Sequence, residues 1–220
     1  MTTQKTIRVH ITEHHISVIA GYKLWMGKES DLKLIGTSDH PRKTIRDYSD
    51  LNPDVFILDY SYNEEETVMP YISELRQSFP DAGLMCATGY VFPHIFRSLQ
   101  VAGIDGIITK EDGADGFIQC IRSIAAGGCY YSKIVRKYLL QEDKIFELLS
   151  SLTPSEKKVL RQMSTGLPDA EIKKILGIAT STLDNHKTNL FAKIRDHGFE
   201  VHSKAELAAW FRAFANDISI

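Results

Sequence analysis

A chain of 220 residues, 43% hydrophobic, is long enough for two modest domains that each bury a core. It has no apolar run long enough to cross a bilayer and no basic-then-apolar signal at Met1 to Ile7. Its three cysteines, Cys86, Cys120 and Cys129, are an odd number without paired spacing, which speaks against a disulfide framework or a zinc set and for thiols in the cytoplasm. The net charge of −2 argues against nucleic acid until the chain is divided. From Ser151 onward, ten Lys and Arg face eight Asp and Glu; before it, sixteen face twenty.

In chain order, Ile7 to Thr12 alternates apolar and polar residues like an early or edge strand. Leu34-Ile35-Gly36 is a shorter strand. Asp54-Val55-Phe56-Ile57-Leu58 is a nearly continuous apolar run, as expected of a strand covered on both faces, and Leu84 to Ala87 and Ile104 to Ile108 repeat it. Helical stretches lie between and after them: Ile16 to Met26, Arg42 to Tyr48, Met69 to Phe79, Ile95 to Ala102 and Gly116 to Ala126. Five strands alternating with five helices predict an α/β, doubly wound, five-stranded parallel sheet of flavodoxin-like kind, with ligands at the carboxyl ends of its strands.

Polar residues stand at those ends. Glu13 follows the first strand, Asp59 follows Leu58, Thr88 follows Ala87, and Lys110 lies two residues after Ile108. This set suits a phosphoryl group on Asp59, with Lys110 neutralising charge and Thr88 bonding a phosphoryl oxygen. The alternative is that polar strand ends are simply where the chain meets water. His10, Glu13, His14 and His15 invite a transition-metal reading, although strand alternation sends His10 to a different face from Glu13. The acid run Glu64-Glu65-Glu66 suits a helix N-terminus, or lends a carboxylate near Asp59.

Residues 6 to about 127 resemble the receiver domain of two-component response regulators, through Pro53-Asp54-Val55, Leu58-Asp59, Thr88, Ala102-Gly103, Lys110 and Ala126-Gly127-Gly128. The resemblance implies that Asp59 is the phosphoacceptor, Thr88 the switch hydroxyl and Lys110 the supporting lysine. A sensor histidine kinase would be the partner, and magnesium would be held by Glu13 and Asp59. Three departures bear on that. His14 replaces the second acid, and imidazole is a poor magnesium ligand. Tyr60-Ser61-Tyr62-Asn63 replaces the Met-Pro-Gly turn, and Ile107 stands where an aromatic switch residue is common. They predict an atypical receiver that phosphorylates poorly or responds to something else. Tyr130-Tyr131-Ser132-Lys133 resembles the motif by which some relatives bind cyclic di-GMP; the ordinary reading is the stretch that ends the receiver.

Lys133 to Ser150 reads as a linker helix with Val135, Leu139, Ile145, Phe146 and Leu149 for packing. Next, Thr153-Pro154-Ser155-Glu156 opens a helix with a capping box and proline at its first position. Val159, Leu160 and Met163 form its apolar face, and Gly166 ends it. Pro168-Asp169 starts a second helix with Ile172, Ile175 and Leu176 buried. Gly177 turns the chain, and Thr180-Ser181-Thr182 starts a third helix with Leu183, Leu190 and Ile194 inward. Ser181, Thr182, Asp184, Asn185, Lys187 and Thr188 are then candidates for contact with double-stranded DNA. Asn bonds an adenine edge twice, Asp accepts from cytosine N4, and Lys, Ser and Thr hold phosphates. An ordinary three-helix unit with a polar face is the alternative, and Asp184 reads equally well as a solvated acid.

The stretch resembles the LuxR-type helix-turn-helix of NarL/FixJ regulators. The match runs through Leu152-Thr153-Pro154, Glu156, Val159-Leu160, Gly166-Leu167, Glu171-Ile172, Gly177-Ile178, Thr182-Leu183 and Asn185-His186, then Val201 to Leu207. The loop Arg195 to Glu200 is about five residues longer than the family's usual turn, and Asp184 stands where a basic residue is frequent. The resemblance implies residues 1–129 as receiver, 130–150 as linker helix and 151–220 as reader, with helix 180–194 in the major groove. The last helix, Ser203 to Asn216, offers Leu207, Trp210, Phe211 and Phe214, part for closing the domain and part for a two-fold contact. A mildly basic reader binds DNA weakly alone, so a homodimer is expected. No nucleophile–base pair, phosphate-cradling loop or metalloprotease spacing supports an enzyme.

Overall fold

The computed structural model describes residues 5–47, 52–63 and 66–214, with the side chains of 211–214 excepted. Two compact units, Met1–Leu139 and Leu140–Ile220, divide the chain.

The first unit is a parallel sheet with the order β2-β1-β3-β4-β5-β6. Its strands are β1 (Ile7–Thr12), β2 (Leu32–Ser38), β3 (Val55–Asp59), β4 (Gly83–Thr88), β5 (Gly106–Thr109) and β6 (Tyr130–Tyr131). The helices are α1 (Ile16–Met26), α2 (Pro41–Asp47), α3 (Ile72–Ser78, entered through a 3-10 turn at Met69–Tyr71), α4 (Pro93–Val101) and α5 (Gly113–Ala125). The sheet thus has six strands rather than five. Tyr130 and Tyr131 pair with Gly106 and Ile107, and Ser132, fully buried, accepts from the Val135 N–H. Tyr130 to Ser132 are therefore taken up by the sheet and the next helix start. Three expectations fall partly outside the described residues: Tyr48 in the second helix, Glu64 and Glu65 in the acid run, and Asn216 with the Phe211 and Phe214 side chains in the last helix.

The apolar run of β3 is explained by cover on both faces. Phe56 and Leu58 point into a core with Leu75, Leu84, Phe96, Leu99 and Ile107, while Val55 and Ile57 point into another with Val9, Ile11, Met85, Phe117 and Ile121. Alternate residues of a strand face opposite ways, so a strand with helices on both sides needs apolar residues at every position. All five residues of β3 are buried.

A long helix, α6 (Lys133–Ser151), gives Val135 and Leu139 to the first of these cores and Ile145, Leu148 and Leu149 to a third one. Phe146, expected to pack, is exposed. The second unit follows with α7 (Pro154–Ser164), α8 (Asp169–Leu176), α9 (Thr180–Asp196) and α10 (Lys204–Phe214). The capping box forms as expected: Glu156 N–H donates to Thr153 Oγ1, and Thr153 N–H donates to Glu156 Oε2 at 2.8 Å. Gly177 takes a left-handed φ of 64°, which glycine adopts without a Cβ penalty, and so turns α8 into α9. Leu160, Met163, Ile172, Leu183, Leu190, Ile194 and Leu207 fill the third core. Ile175, expected inside, is exposed. No helix of the described residues is long and apolar enough to cross a membrane.

Candidate functional site

Parallel pairing carries the ends of four strands to one edge. Thr12 lies beside Leu58, Asp59 beside Ala87, and Thr88 beside Thr109, so the residues at or just past these positions share one neighbourhood. Lys110 Nζ reaches Glu13 Oε2 at 2.8 Å and Asp59 Oδ1 at 3.1 Å. Both carboxylates are nearly buried. Burial, reinforced by the charge of Glu13, raises the Asp59 carboxyl above its usual range although Lys110 opposes it. Burial also acts to raise Glu13, but the hydrogen bonds from Lys110 and His15 outweigh it and hold that carboxyl below its usual range. Thr88 is fully buried, and its Oγ1 accepts from the Tyr90 N–H at 2.9 Å.

Between the carboxylates stands an imidazole. His14 Nδ1 lies 3.5 Å from Glu13 Oε1 and 3.8 Å from Asp59 Oδ2. His15 Nδ1 lies 2.9 Å from Glu13 Oε1, which also accepts the His15 N–H at 2.8 Å. Glu13, His14, His15 and Asp59 form a cluster whose ligand atoms lie within 4.8 Å of one another. An open cleft of about 460 Å³ reaches it, lined also by Ser61, Asn63, Tyr90 and Lys110. His10 does not join this cluster. It is fully buried, its ring 5.4 Å from Phe56. Nor does Glu66 reach Asp59: His40 at 3.2 Å, Asn63 at 3.1 Å and Tyr71 occupy it. Ile107 is buried in the first core beside Tyr131.

These residues do not fit magnesium. That ion demands near-octahedral oxygen donors and keeps its waters. Here a nitrogen, His14 Nδ1, stands between the two carboxylate oxygens that Lys110 leaves free, where magnesium would need an oxygen donor.

In the second unit α9 turns Ser181, Thr182, Asp184, Asn185 and Thr188 outward, all exposed, over Leu183 and Leu190. Thr188 Oγ1 donates back to the Asp184 carbonyl at 2.9 Å. The lysines of this helix are tied inside the unit. Lys187 pairs with Asp169 of α8 at 2.6 Å, and Lys204 of α10 holds the same carboxylate at 3.0 Å. Lys193 pairs with the buried Glu156 at 2.7 Å and donates to the Ser151 carbonyl. Lys187 is therefore placed as a brace between helices as much as a phosphate contact, a role eighteen residues of separation concealed. The longer loop has a use too. Gly198 takes φ 78°, and Phe199 closes on Trp210 with ring centroids 5.0 Å apart.

Fold and sites together give a receiver-like unit ahead of a LuxR-type helix-turn-helix, a layout similar to that of DNA-binding response regulators. Residues 150–211 match the family model of bacterial regulatory proteins, luxR family. The transcriptional regulatory protein MctR of Rhizobium johnstonii is 26% identical over 88% of this chain and 90% of its own length. The response regulator protein VraR of Staphylococcus aureus is 22% identical over 86% of this chain and 90% of its own. Among solved structures, the Salmonella typhimurium RcsB response regulator covers 94% of this chain and 98% of its own at 21% identity, with a TM-score of 0.63. RcsB in complex with DNA gives 0.59 over 95% of this chain and 99% of its own, also at 21% identity.

Proposed function

We propose that this protein regulates transcription by laying α9 in the major groove of duplex DNA, under a receiver unit that does not rely on magnesium-dependent phosphorylation. The observation that supports the first half is the exposed polar face of α9 in a segment matched to the luxR family. Asn185 is suited to a bidentate bond with an adenine edge and Asp184 to cytosine N4, with Ser181 and Thr182 near phosphates at the helix start. With Lys187 and Lys193 paired internally, one reader contributes little charge. Two copies on two half-sites double the contacts, so the working form is a homodimer. RcsB dimers bound to DNA have been solved, which favours that assembly. Duplexes selected from a random pool should bind the full chain with a two-fold pattern, and Asn185→Ala should relax one base position by about 1–3 kcal/mol. Selection that yields no shared sequence would sink the reading.

The second half rests on His14 standing between Glu13 and Asp59. A specific observation favours the opposite reading, in which a sensor histidine kinase modifies Asp59: Lys110 lies 3.1 Å from that carboxylate, and Thr88 ends the adjacent strand. Intact mass after incubation with acetyl phosphate and magnesium decides between them. Unchanged mass supports the first; an added phosphoryl mass absent from Asp59→Ala establishes that Asp59 accepts a phosphoryl group, which the second requires.

A further inference from the structure

We propose that Glu13, His14, His15 and Asp59 form a binding site for a zinc-class divalent cation. The proposal deepens the magnesium-independent reading of the receiver and leaves the DNA reading untouched.

The donor set is two imidazole nitrogens and two carboxylate oxygens. Zinc takes such ligands at about 2.0–2.2 Å in tetrahedral geometry, which sets ligand atoms about 3.4 Å apart. Three of the six separations bracket that edge, 2.9 Å from His15 Nδ1 to Glu13 Oε1, 3.5 Å from His14 Nδ1 to Glu13 Oε1 and 3.8 Å from His14 Nδ1 to Asp59 Oδ2, and all four atoms lie within 4.8 Å of one another. His14 Nδ1 is buried and has no hydrogen-bond partner among the described residues, although two carboxylate oxygens lie close by. An imidazole nitrogen between two anions is satisfied by a proton or by a cation that all three groups share, and a cation accounts for its lack of a hydrogen bond. Cations bound by imidazole and carboxylate together belong to the zinc, copper and nickel group rather than to magnesium.

Lys110 and the cation need not compete for the same atoms. The ammonium holds Glu13 Oε2 and Asp59 Oδ1, whereas the imidazoles face Glu13 Oε1 and Asp59 Oδ2. Each carboxylate then has one oxygen toward Lys110 and one toward the metal, with Glu13 Oε1 also accepting the His15 N–H, so that outer groups orient the metal ligands. Local chain geometry supports the set as well. Glu13, His14 and His15 are consecutive, His15 is the N-cap of α1, and its N–H is fastened to Glu13. The open cleft gives the ion an entry path.

The test uses the full chain, stripped with a chelator and titrated calorimetrically with zinc chloride or magnesium chloride. Cobalt chloride, followed by visible absorption, reports coordination geometry. One zinc per chain is expected, bound at least about 100-fold more tightly than magnesium, with the intense bands of tetrahedral cobalt. His14→Ala and His15→Ala should each weaken zinc by more than the roughly 10–100-fold that loss of an outer partner costs. His14→Asp, which restores an oxygen donor, should shift preference toward magnesium; circular dichroism shows whether each variant folds. Magnesium bound as tightly as zinc, or zinc affinity unchanged in both histidine variants, overturns the site. The mass measurement reads the parent reading separately: phosphorylation of Asp59 refutes magnesium independence, whereas absent zinc binding with unmodified Asp59 refutes this site alone.

Discussion

His10 makes receiver stability depend on pH in a calculable way. It sits in β1 with no exposed surface, against the Phe56 ring, and burial pulls its pKa from 6.5 down to about 4. The folded chain keeps the imidazole neutral, whereas the unfolded chain protonates it near 6.5. Below that value the unfolded state binds more protons, so stability falls with falling pH and levels off only below the folded value. For these two values the loss between about pH 7 and about pH 5 is about 2 kcal/mol, and the full difference is about 3 kcal/mol at about 1.4 kcal/mol per unit. His10→Phe removes the titration and keeps an aromatic ring in the apolar site, at some pH-independent cost in fit. Urea unfolding, followed by Trp25 fluorescence in a Trp210→Phe background, measures both proteins at the two pH values. Carboxylate contributions are common to both and cancel in the comparison. The parent should lose about 2 kcal/mol more than His10→Phe. Equal losses would show that His10 takes up its proton in the folded state, and the reasoning would fail.

Lys110→Met leaves Glu13 and Asp59 buried without their cation and should cost about 3–5 kcal/mol at neutral pH, less in acid where the carboxyls protonate; unfolding at both pH values checks this. Asp169→Asn releases Lys187 and Lys204. Non-specific DNA affinity should rise, and the slope of log K against log salt should steepen by about 0.9 for each lysine that reaches a phosphate, as read by anisotropy. Asp184→Ala should reduce discrimination at one base pair of a selected duplex by about 1–3 kcal/mol; unchanged discrimination would make Asp184 a solvated acid. A Cβ at Gly106 would stand 2.5 Å from Cys120 Sγ. Gly106→Ala should therefore destabilise the receiver by about 1–3 kcal/mol, and adding Cys120→Ala should recover part of the loss in the same urea assay.

Much of the fold was legible because its causes are local. The apolar run of β3, the capping box at Thr153 and Glu156, and the left-handed turn at Gly177 each depend on residues within a few positions. Strand β6 was missed because two residues establish no period. Ile175 and Phe146 were misplaced for a related reason: helical spacing marks an apolar stripe but not where its cover stops. Asp59, Thr88 and Lys110 were found as strand-end residues and by resemblance, yet their mutual geometry was not.

What the sequence determined by itself is the order of elements apart from β6, the two-part layout and the outward face of α9, since each follows from periodicity, caps and turns along a short stretch. Tertiary structure alone decided which charges meet. Lys110 and Glu13 are 97 residues apart, and only the parallel register brings them within 2.8 Å, with Asp59 on the other side of the ammonium. The same register set Asp59 against His14, already beside Glu13 along the chain, and left His10, three residues before Glu13, in the core. Spacing along a chain specifies a face; the packing of strands specifies the neighbour across it.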